Sequence, residues 1–304
     1  MSAVTSSLSP AHRCGSGSAL VLVHGVTSSW RAWQPVIPLL AERHEVFAPS
    51  LAGHHGAAPS AAGTVLSVRG LTDALEAQLD HAGIETAHIA GNSLGGWIAL
   101  ELARRGRARS VVVFSPAGGW REPRDLRRVA TMVRLGRVFA HHPLLGAMVA
   151  RPRMRRAVLR PVAERGHQMT RLEASQFFED AQRCTALGDL LASLEQDGPL
   201  APLVDPRCPI RIAWSQHDRT IPFRRYGHPV AEAVPDAELV SLLGVGHVPM
   251  YDNPRLVADT ILGLTTRVDL LSTSATPQPK KRFRHLLTRW PGRDRFHRLD
   301  PRAG

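Results

Sequence analysis

Short apolar runs alternate with segments of helical spacing along the first 120 residues of the chain. Each run has about the length of a strand and is almost entirely apolar, which is typical of a strand covered on both faces. The runs lie at 19–23, 46–48, 87–90 and 111–114, and the clearest helical pattern lies at 71–81. Strands separated by helices predict right-handed βαβ units, and therefore an α/β protein with a mostly parallel, doubly wound sheet.

The alternation stops between residues 120 and 200. This part of the chain has helical patterns separated by prolines and no convincing strand pattern, so we expect an all-helical insertion, or cap. Strand patterns resume at 210–214 and 238–242, and a last helix is predicted from about 254 to 266. These patterns divide the chain into five parts. The core has a first part at 19–119 and a second part at 201–271, and the helical cap lies between them at 120–200. A loose N-terminal segment at 1–18 precedes the core, and a basic tail that contains prolines follows it at 272–304.

In one predicted turn, a serine has a glycine two residues before it and another two residues after it. The sequence Gly91-Asn92-Ser93-Leu94-Gly95 ends a strand pattern and begins a helix pattern. Such a G-x-S-x-G turn, a nucleophile elbow, exposes the serine hydroxyl at the carboxyl end of a sheet, and a Cβ at either glycine would collide with the strand or the helix. The alternative is an ordinary strand–helix turn with a capping serine, which would be preferred if no partner residues were found.

A serine hydroxyl needs a base to act as a nucleophile at neutral pH, and the base needs a third group to orient it. In a doubly wound sheet these groups follow later strands, in the chain order serine, acid, histidine. Asp218 comes directly after the strand pattern at 210–214, and His247 comes after the one at 238–242. Ser93, Asp218 and His247 are therefore the predicted catalytic residues.

Four motifs in this order resemble the α/β-hydrolase family of the Ser-Asp-His type, especially its esterases and meta-cleavage-product hydrolases, which break carbon–carbon bonds. The motifs are His24-Gly25, the elbow with Gly96 after it, His217-Asp218 with Pro222, and Gly246-His247-Val248-Pro249. The resemblance covers roughly residues 19–267 and assigns the helical insertion to the family's cap. It also implies that the backbone N–H groups of Val26 and Leu94 form the oxyanion hole. The family has two strands ahead of the His-Gly strand, so we expect one edge strand to be missing here.

This constellation predicts a serine hydrolase in which Ser93 attacks a carbonyl group and His247 transfers the proton. We expect a small to medium carboxylic ester with an apolar part as substrate, and no metal or organic cofactor is required. Carbon–carbon hydrolysis of a dienoate and acyl transfer to an acceptor other than water are alternatives. A non-catalytic ligand-binding protein on the same fold is an alternative of a different class. An aspartate nucleophile would have implied epoxide or carbon–halogen hydrolysis, and the serine disfavours both.

The net charge of +12 comes from two segments of the chain. Residues 121–171 carry 13 basic and 3 acidic side chains, and residues 272–304 carry 9 basic and 2 acidic ones. The first segment favours an anionic substrate or an anionic surface as partner. In the second, apolar residues recur at helical spacing among the basic residues of 280–293, which is typical of a helix that contacts a membrane surface or a protein. A disordered tail is the alternative, and no recognised module favours nucleic acid.

The three cysteines indicate a reducing environment. Cys14, Cys184 and Cys208 are scattered and form no disulfide or metal-binding pattern. The first 18 residues lack the apolar run of a signal peptide, and no stretch has the length needed to span a bilayer. We therefore expect a cytoplasmic protein, with peripheral contact to a membrane surface as a further expectation.

Overall fold

A computed structural model describes residues 8–57 and 66–273, and within them seven strands form one sheet. The strands are β1 (Ala11–Cys14), β2 (Ser18–Val23), β3 (His44–Pro49), β4 (Ala87–Asn92), β5 (Ala108–Phe114), β6 (Ile210–Ser215) and β7 (Glu238–Leu242). Their order in the sheet is β1-β3-β2-β4-β5-β6-β7, and every neighbouring pair is parallel except β1 and β3. The predicted mostly parallel α/β fold is confirmed.

Helices connect the strands in the predicted alternation. The α-helices are α1 (Ile37–Ala41), α2 (Val68–His81), α3 (Leu94–Arg104), α4 (Pro123–Ala140), α5 (Leu145–Ala150), α6 (Pro152–Leu159), α7 (Arg171–Arg183), α8 (Leu187–Asp197), α9 (His228–Ala233), α10 (Pro249–Asp252) and α11 (Pro254–Thr273). Short 3₁₀-helices lie at Trp30–Trp33 and Gly166–Gln168, and a π-helix lies at Phe223–Gly227. Because all described helices between β5 and β6 fall in 120–200, the cap is a single insertion.

The sheet is covered on both faces, which explains why its strands are continuous apolar runs. Successive side chains of a strand point to opposite faces. In β2, Val21 and Val23 belong to the hydrophobic cluster that contains α2 and α3, whereas Leu20 and Leu22 belong to the cluster that contains α1 and α11. All four side chains are fully buried. Both faces therefore need apolar side chains, and the doubly wound arrangement follows.

The cap has a hydrophobic core of its own. Val149, Leu159, Met169 and Phe178 are buried together between the cap helices. Tyr251, in α10 of the sheet domain, packs against this cluster as well. The cap core and the sheet domain therefore meet at α10, close in sequence to the predicted catalytic histidine.

The expectation of a loose segment over residues 1–18 is wrong for residues 11–14, which form β1. This strand pairs antiparallel with β3, with Ala11 opposite Pro49 and Cys14 opposite Val46. Its side chains are half-buried or exposed, so no apolar pattern marks it in the sequence. Backbone pairing at the edge of the sheet, rather than burial, makes it a strand. One strand thus precedes the His-Gly strand β2 in the described part of the chain.

The last helix, α11, continues to Thr273, beyond its predicted end near residue 266 and the domain boundary placed at 271. Near its end, Asp269 accepts a hydrogen bond from the Ser18 hydroxyl (2.7 Å) and contacts the imidazole Nε2 of His88 (3.0 Å) and the guanidinium of Arg109 (2.7 Å). These partners lie on β2, β4 and β5, so the extra turns of α11 are held against the sheet by polar contacts.

Two further expectations concern membranes. The amphipathic pattern at 280–293 lies outside the described residues. Among the residues that are described, none of the helices combines the length and the apolar character needed to cross a bilayer.

Candidate active site

The backbone at Ser93 has the geometry of a nucleophile elbow. Ser93 lies between the end of β4 and the start of α3, with φ 54° and ψ −118°, in a region that residues with a side chain rarely adopt. A Cβ on Gly91 would lie 2.1 Å from the carbonyl oxygen of Gly95, and a Cβ on Gly95 would lie 2.2 Å from that of Val23. The two glycines are therefore required by the close approach of backbone to backbone.

The loop after β2 lies against this elbow. A Cβ on Gly25 would be 3.3 Å from the Cβ of Ser93, so glycine allows the loop to approach the serine closely. Val26 follows, and Thr27 adopts a positive φ of 59° as the loop turns. Leu94 is the first residue of α3, where a backbone N–H has no acceptor within the helix. The loop that holds Val26 and the helix start at Leu94 thus flank Ser93, and their role as oxyanion donors stays a prediction.

Asp218 and His247 form a hydrogen-bonded pair. The imidazole Nδ1 of His247 lies 2.7 Å from Oδ2 of Asp218, and both side chains are buried. The second oxygen, Oδ1, accepts hydrogen bonds from the backbone N–H groups of Thr220 (2.9 Å) and Ile221 (2.8 Å). Because a carboxylate only accepts, Nδ1 of His247 is the donor, and in a neutral imidazole this places the lone pair on Nε2, where a general base needs it.

Asn92 connects the elbow to the histidine loop. Its side-chain amide donates to the carbonyl oxygens of Phe114 and His247, both at 3.0 Å. Asn92 directly precedes Ser93 and is itself buried. The segment that carries the serine and the segment that carries the histidine are therefore joined by a hydrogen bond, in addition to the contact between His247 and Asp218.

His24 is a structural residue. It is fully buried, with Nδ1 2.8 Å from the carbonyl oxygen of Gly25, and its Nε2 accepts a hydrogen bond from the N–H of Leu51 (2.9 Å). Burial, with a smaller contribution from the neighbouring His54, lowers the pKa of His24 to about 3. His24 is therefore neutral at ordinary pH and both of its nitrogens are engaged, so it serves no acid–base role.

A buried carboxylate that the sequence did not single out holds the histidine loop. Asp252 accepts hydrogen bonds from the backbone N–H groups of Gly246 (2.7 Å), Glu164 (2.9 Å) and Arg165 (2.6 Å). The first donor precedes His247, and the other two belong to the cap. The sequence shows Asp252 only as an acidic residue five positions after the histidine. Two of its partners come from a distant part of the chain, so this position alone does not indicate its role. Asp252 thus fixes the histidine loop to the cap.

The same cap segment also contacts the acid loop. The Glu164 carboxylate pairs with Arg219 (2.7 Å), next to Asp218, and with Arg160 (2.8 Å) in the cap. Burial acts to raise the pKa of Glu164, but the two arginines outweigh it and lower that pKa below its usual range. The Thr220 hydroxyl donates to the carbonyl oxygen of Pro161 (3.1 Å). Residues 160–165 therefore touch both loops that carry the pair of Asp218 and His247.

A second buried carboxylate joins the cap to the loop after β2. Asp180, on α7, accepts a hydrogen bond from the Ser29 hydroxyl (2.6 Å), pairs with the guanidinium of Arg31 and lies 2.7 Å from Nδ1 of His55. The cap is thus attached both to the loop after β2 and to the histidine loop. None of the described residues form a group of three or more His, Cys, Asp or Glu side chains that could hold a metal ion.

Comparison with known proteins gives a family and several relatives. A sequence model described as the alpha/beta hydrolase family matches residues 20–260 of this chain. The chain is 35% identical over 195 residues to the epoxide hydrolase EphH of Mycobacterium tuberculosis, a match that covers 63% of this chain and 91% of that protein. It is 36% identical over 112 residues to a 2-hydroxymuconate semialdehyde hydrolase of Pseudomonas sp., which covers 35% of this chain and 39% of that protein.

A solved structure has the same fold. The 2-hydroxy-6-oxo-6-phenylhexa-2,4-dienoate hydrolase BphD of Rhodococcus sp. strain RHA1 superposes with a TM-score of 0.66, covering 84% of this chain and 94% of that one. At 22% sequence identity this likeness shows the fold and says nothing of the substrate.

Replacing Gly95 with alanine tests the close approach at the elbow. We expect Gly95→Ala to lower the free energy of unfolding by about 1–3 kcal/mol, because the new methyl group displaces the backbone of β2. The control is Gly136→Ala in α4, where a Cβ meets nothing within 4 Å, and there we expect a gain of about 0.5–1 kcal/mol. Urea denaturation measures both, and a gain in stability from both substitutions would contradict the elbow geometry.

Replacing Asp252 with asparagine tests the link between the cap and the histidine loop. An amide offers one oxygen in place of two, so at least one buried N–H loses its acceptor, at a cost of about 2 kcal/mol. We expect Asp252→Asn to speed amide hydrogen exchange at Gly246 and in the cap at 164–165 together. Mass spectrometry of the exchanged peptides measures this, with Asp259→Asn on the exposed face of α11 as the control. Unchanged exchange in the cap peptide would contradict the link.

Proposed function

The chain belongs to the alpha/beta hydrolase family, and from this membership we propose that it is a serine hydrolase that cleaves a carboxylic ester through an acyl-enzyme on Ser93. The observation that carries the proposal is the 2.7 Å contact between His247 and Asp218, tied through Asn92 to the elbow that holds Ser93. A nucleophile, a base and a group that orients the base are the three parts that nucleophilic catalysis by serine needs.

The proposed reaction has two steps. The Ser93 hydroxyl attacks the carbonyl carbon of the ester while Nε2 of His247 accepts its proton, and Asp218 stabilises the imidazolium. The backbone N–H groups of Val26 and Leu94 stabilise the oxyanion of the tetrahedral intermediate. As the intermediate collapses, His247 returns the proton to the departing alcohol. Water then attacks the acyl-enzyme with His247 as base, which releases the acid and restores Ser93.

The chemistry of the nucleophile supports a carbonyl substrate over an epoxide. A serine that opened an epoxide would form an ether with it. An ether has no acyl carbon for water to attack, so the product would stay bound to the serine. A serine that attacks a carbonyl forms an ester, which water hydrolyses at the acyl carbon. The relative named as an epoxide hydrolase therefore supports the family of this chain, and Ser93 supports a different bond as its target.

The residues around the nucleophile support an ester with an apolar acyl part. Leu94 and Trp97 follow Ser93 on α3, and both are buried in the large hydrophobic cluster of the core. Val26, beside them in the loop after β2, packs against the same cluster. An aliphatic acyl chain that packs against these side chains would remove its own apolar surface from water, which favours binding as the chain lengthens.

Labelling with a fluorophosphonate probe tests for an activated serine. We expect the wild-type protein to be labelled and Ser93→Ala to remain unlabelled, because only a serine with an assembled base reacts with such probes. Ser241→Ala, a substitution of an exposed serine on β7, is the matched control and should be labelled like the wild type. A folded wild-type protein that stays unlabelled would favour the ligand-binding alternative.

Hydrolysis of p-nitrophenyl esters of increasing acyl length tests the substrate class. We expect kcat/KM to rise by about fourfold for each CH₂ that becomes buried, until the pocket is filled. Faster turnover of a dienoate than of every ester would instead assign carbon–carbon bond hydrolysis. An added alcohol that takes the acyl group in preference to water would assign acyl transfer.

A further inference from the structure

A long part of the cap has arginines and no acidic residue. Residues 126–163 contain nine arginines and neither Asp nor Glu. Six of these arginines, all on α4, on α6 or directly before α6, are exposed, namely Arg127, Arg128, Arg134, Arg151, Arg153 and Arg156. In the part of the chain that the structure describes, no ion pair involves any of the six. None of these six guanidinium groups is therefore held in an ion pair with a described carboxylate.

Large apolar side chains are exposed among these arginines. Leu135 (64% exposed), Val138 (71%), Leu144 (61%) and Met154 (39%) account for four of the nine exposed large apolar side chains in the described ranges. Leu135 and Val138 lie one turn apart on the outer face of α4, and Leu144 is in the turn that follows. Met154 is on α6, which packs against α5. Helices α4 and α5 both pack against α7, so these elements are neighbours in the cap. We name the exposed side chains of residues 127–156 the cap face.

The charge of the cap face limits what can cover it. The C-terminal segment of this chain, residues 272–304, carries 9 basic and 2 acidic side chains, so the cap face repels it. A second copy that offers its own cap face is repelled for the same reason. The charge of the cap face therefore favours an anionic partner.

The exposed apolar side chains distinguish between anionic partners. A nucleic acid neutralises arginines through its phosphates, and these phosphate contacts make no use of exposed aliphatic side chains. A lipid bilayer with anionic headgroups uses both features, because arginines pair with the headgroup phosphates while leucine, valine and methionine enter the boundary with the acyl chains. The mixture of charge and apolar surface thus favours a lipid surface.

We propose that the cap face docks the protein on an anionic lipid bilayer. The arginines supply the attraction, and Leu135, Val138, Leu144 and Met154 supply the contact with the acyl boundary. This proposal does not depend on the reaction at Ser93, since docking uses none of the residues of the candidate active site.

Co-sedimentation with vesicles tests the proposal on the whole 304-residue chain. We expect binding to an equal mixture of phosphatidylcholine and phosphatidylglycerol and little binding to phosphatidylcholine alone. Raising the salt concentration from about 0.1 M to about 1 M should weaken the binding, because the Debye length falls from about 10 Å to about 3 Å. Binding that is equal on both vesicles, or that salt leaves unchanged, would overturn the proposal.

Two pairs of substitutions separate charge from apolar contact. Arg134→Gln with Arg153→Gln should lower the partition coefficient by about fivefold for each arginine removed. Leu135→Ser with Val138→Ser should lower it by about tenfold in total. The matched controls are Arg207→Gln with Arg255→Gln and Val204→Ser with Leu243→Ser, which alter exposed side chains outside the cap face and should change binding little.

Two outcomes would assign the binding elsewhere. If Phe283→Ser with Trp290→Ser abolishes vesicle binding while the cap-face variants bind like the wild type, the C-terminal segment is the contact and the proposal is wrong. If the arginine variants lose binding to duplex DNA, and the variants of Leu135 and Val138 bind vesicles normally, the cap face is a nucleic-acid surface instead.

Discussion

The backbone of β2 and the start of α3 approach each other so closely that no side chain fits between them. Gly95 makes this contact, with its Cα facing the carbonyl oxygen of Val23. The contact fixes where α3 begins and, with it, the strained conformation of Ser93. Parallel strands then deliver Asp218 and His247 to the same carboxyl edge of the sheet. The site thus depends on the packing of backbone against backbone as well as on contacts between side chains.

Two buried carboxylates make the cap and the core one unit around this site. Asp180 joins α7 to the loop after β2, and Asp252 joins the histidine loop to residues 164–165. A buried carboxylate is costly unless its oxygens are satisfied, so each attachment is lost only when several hydrogen bonds break together. The two attachments lie on different loops of the site. The position of the cap and the geometry of the candidate catalytic residues are therefore coupled.

The sequence predicted the features that depend on local patterns. One short stretch of the sequence contains Ser93 and the glycines around it. Asp218 and His247 each follow an apolar strand within a short stretch of their own. β1 was missed because its half-exposed residues become a strand only by pairing with β3. Asp252 was missed because its donors lie in the cap, far away in the sequence, and spacing carries no information on such contacts. The extension of α11 depends in the same way on polar partners from three strands.

The hydrogen bonds from Glu164 and Arg165 to Asp252 have a consequence for how the cap can be exchanged during evolution or in chimeras. By topology, residues 120–200 are one module that could be replaced as a whole. By their contacts, residues 160–165 belong with the core, since they hold the loops of Asp218 and His247. A chimera that keeps this short segment from the recipient protein, and takes only the flanking helices from a donor, preserves the geometry of the candidate site while it changes the rest of the cap.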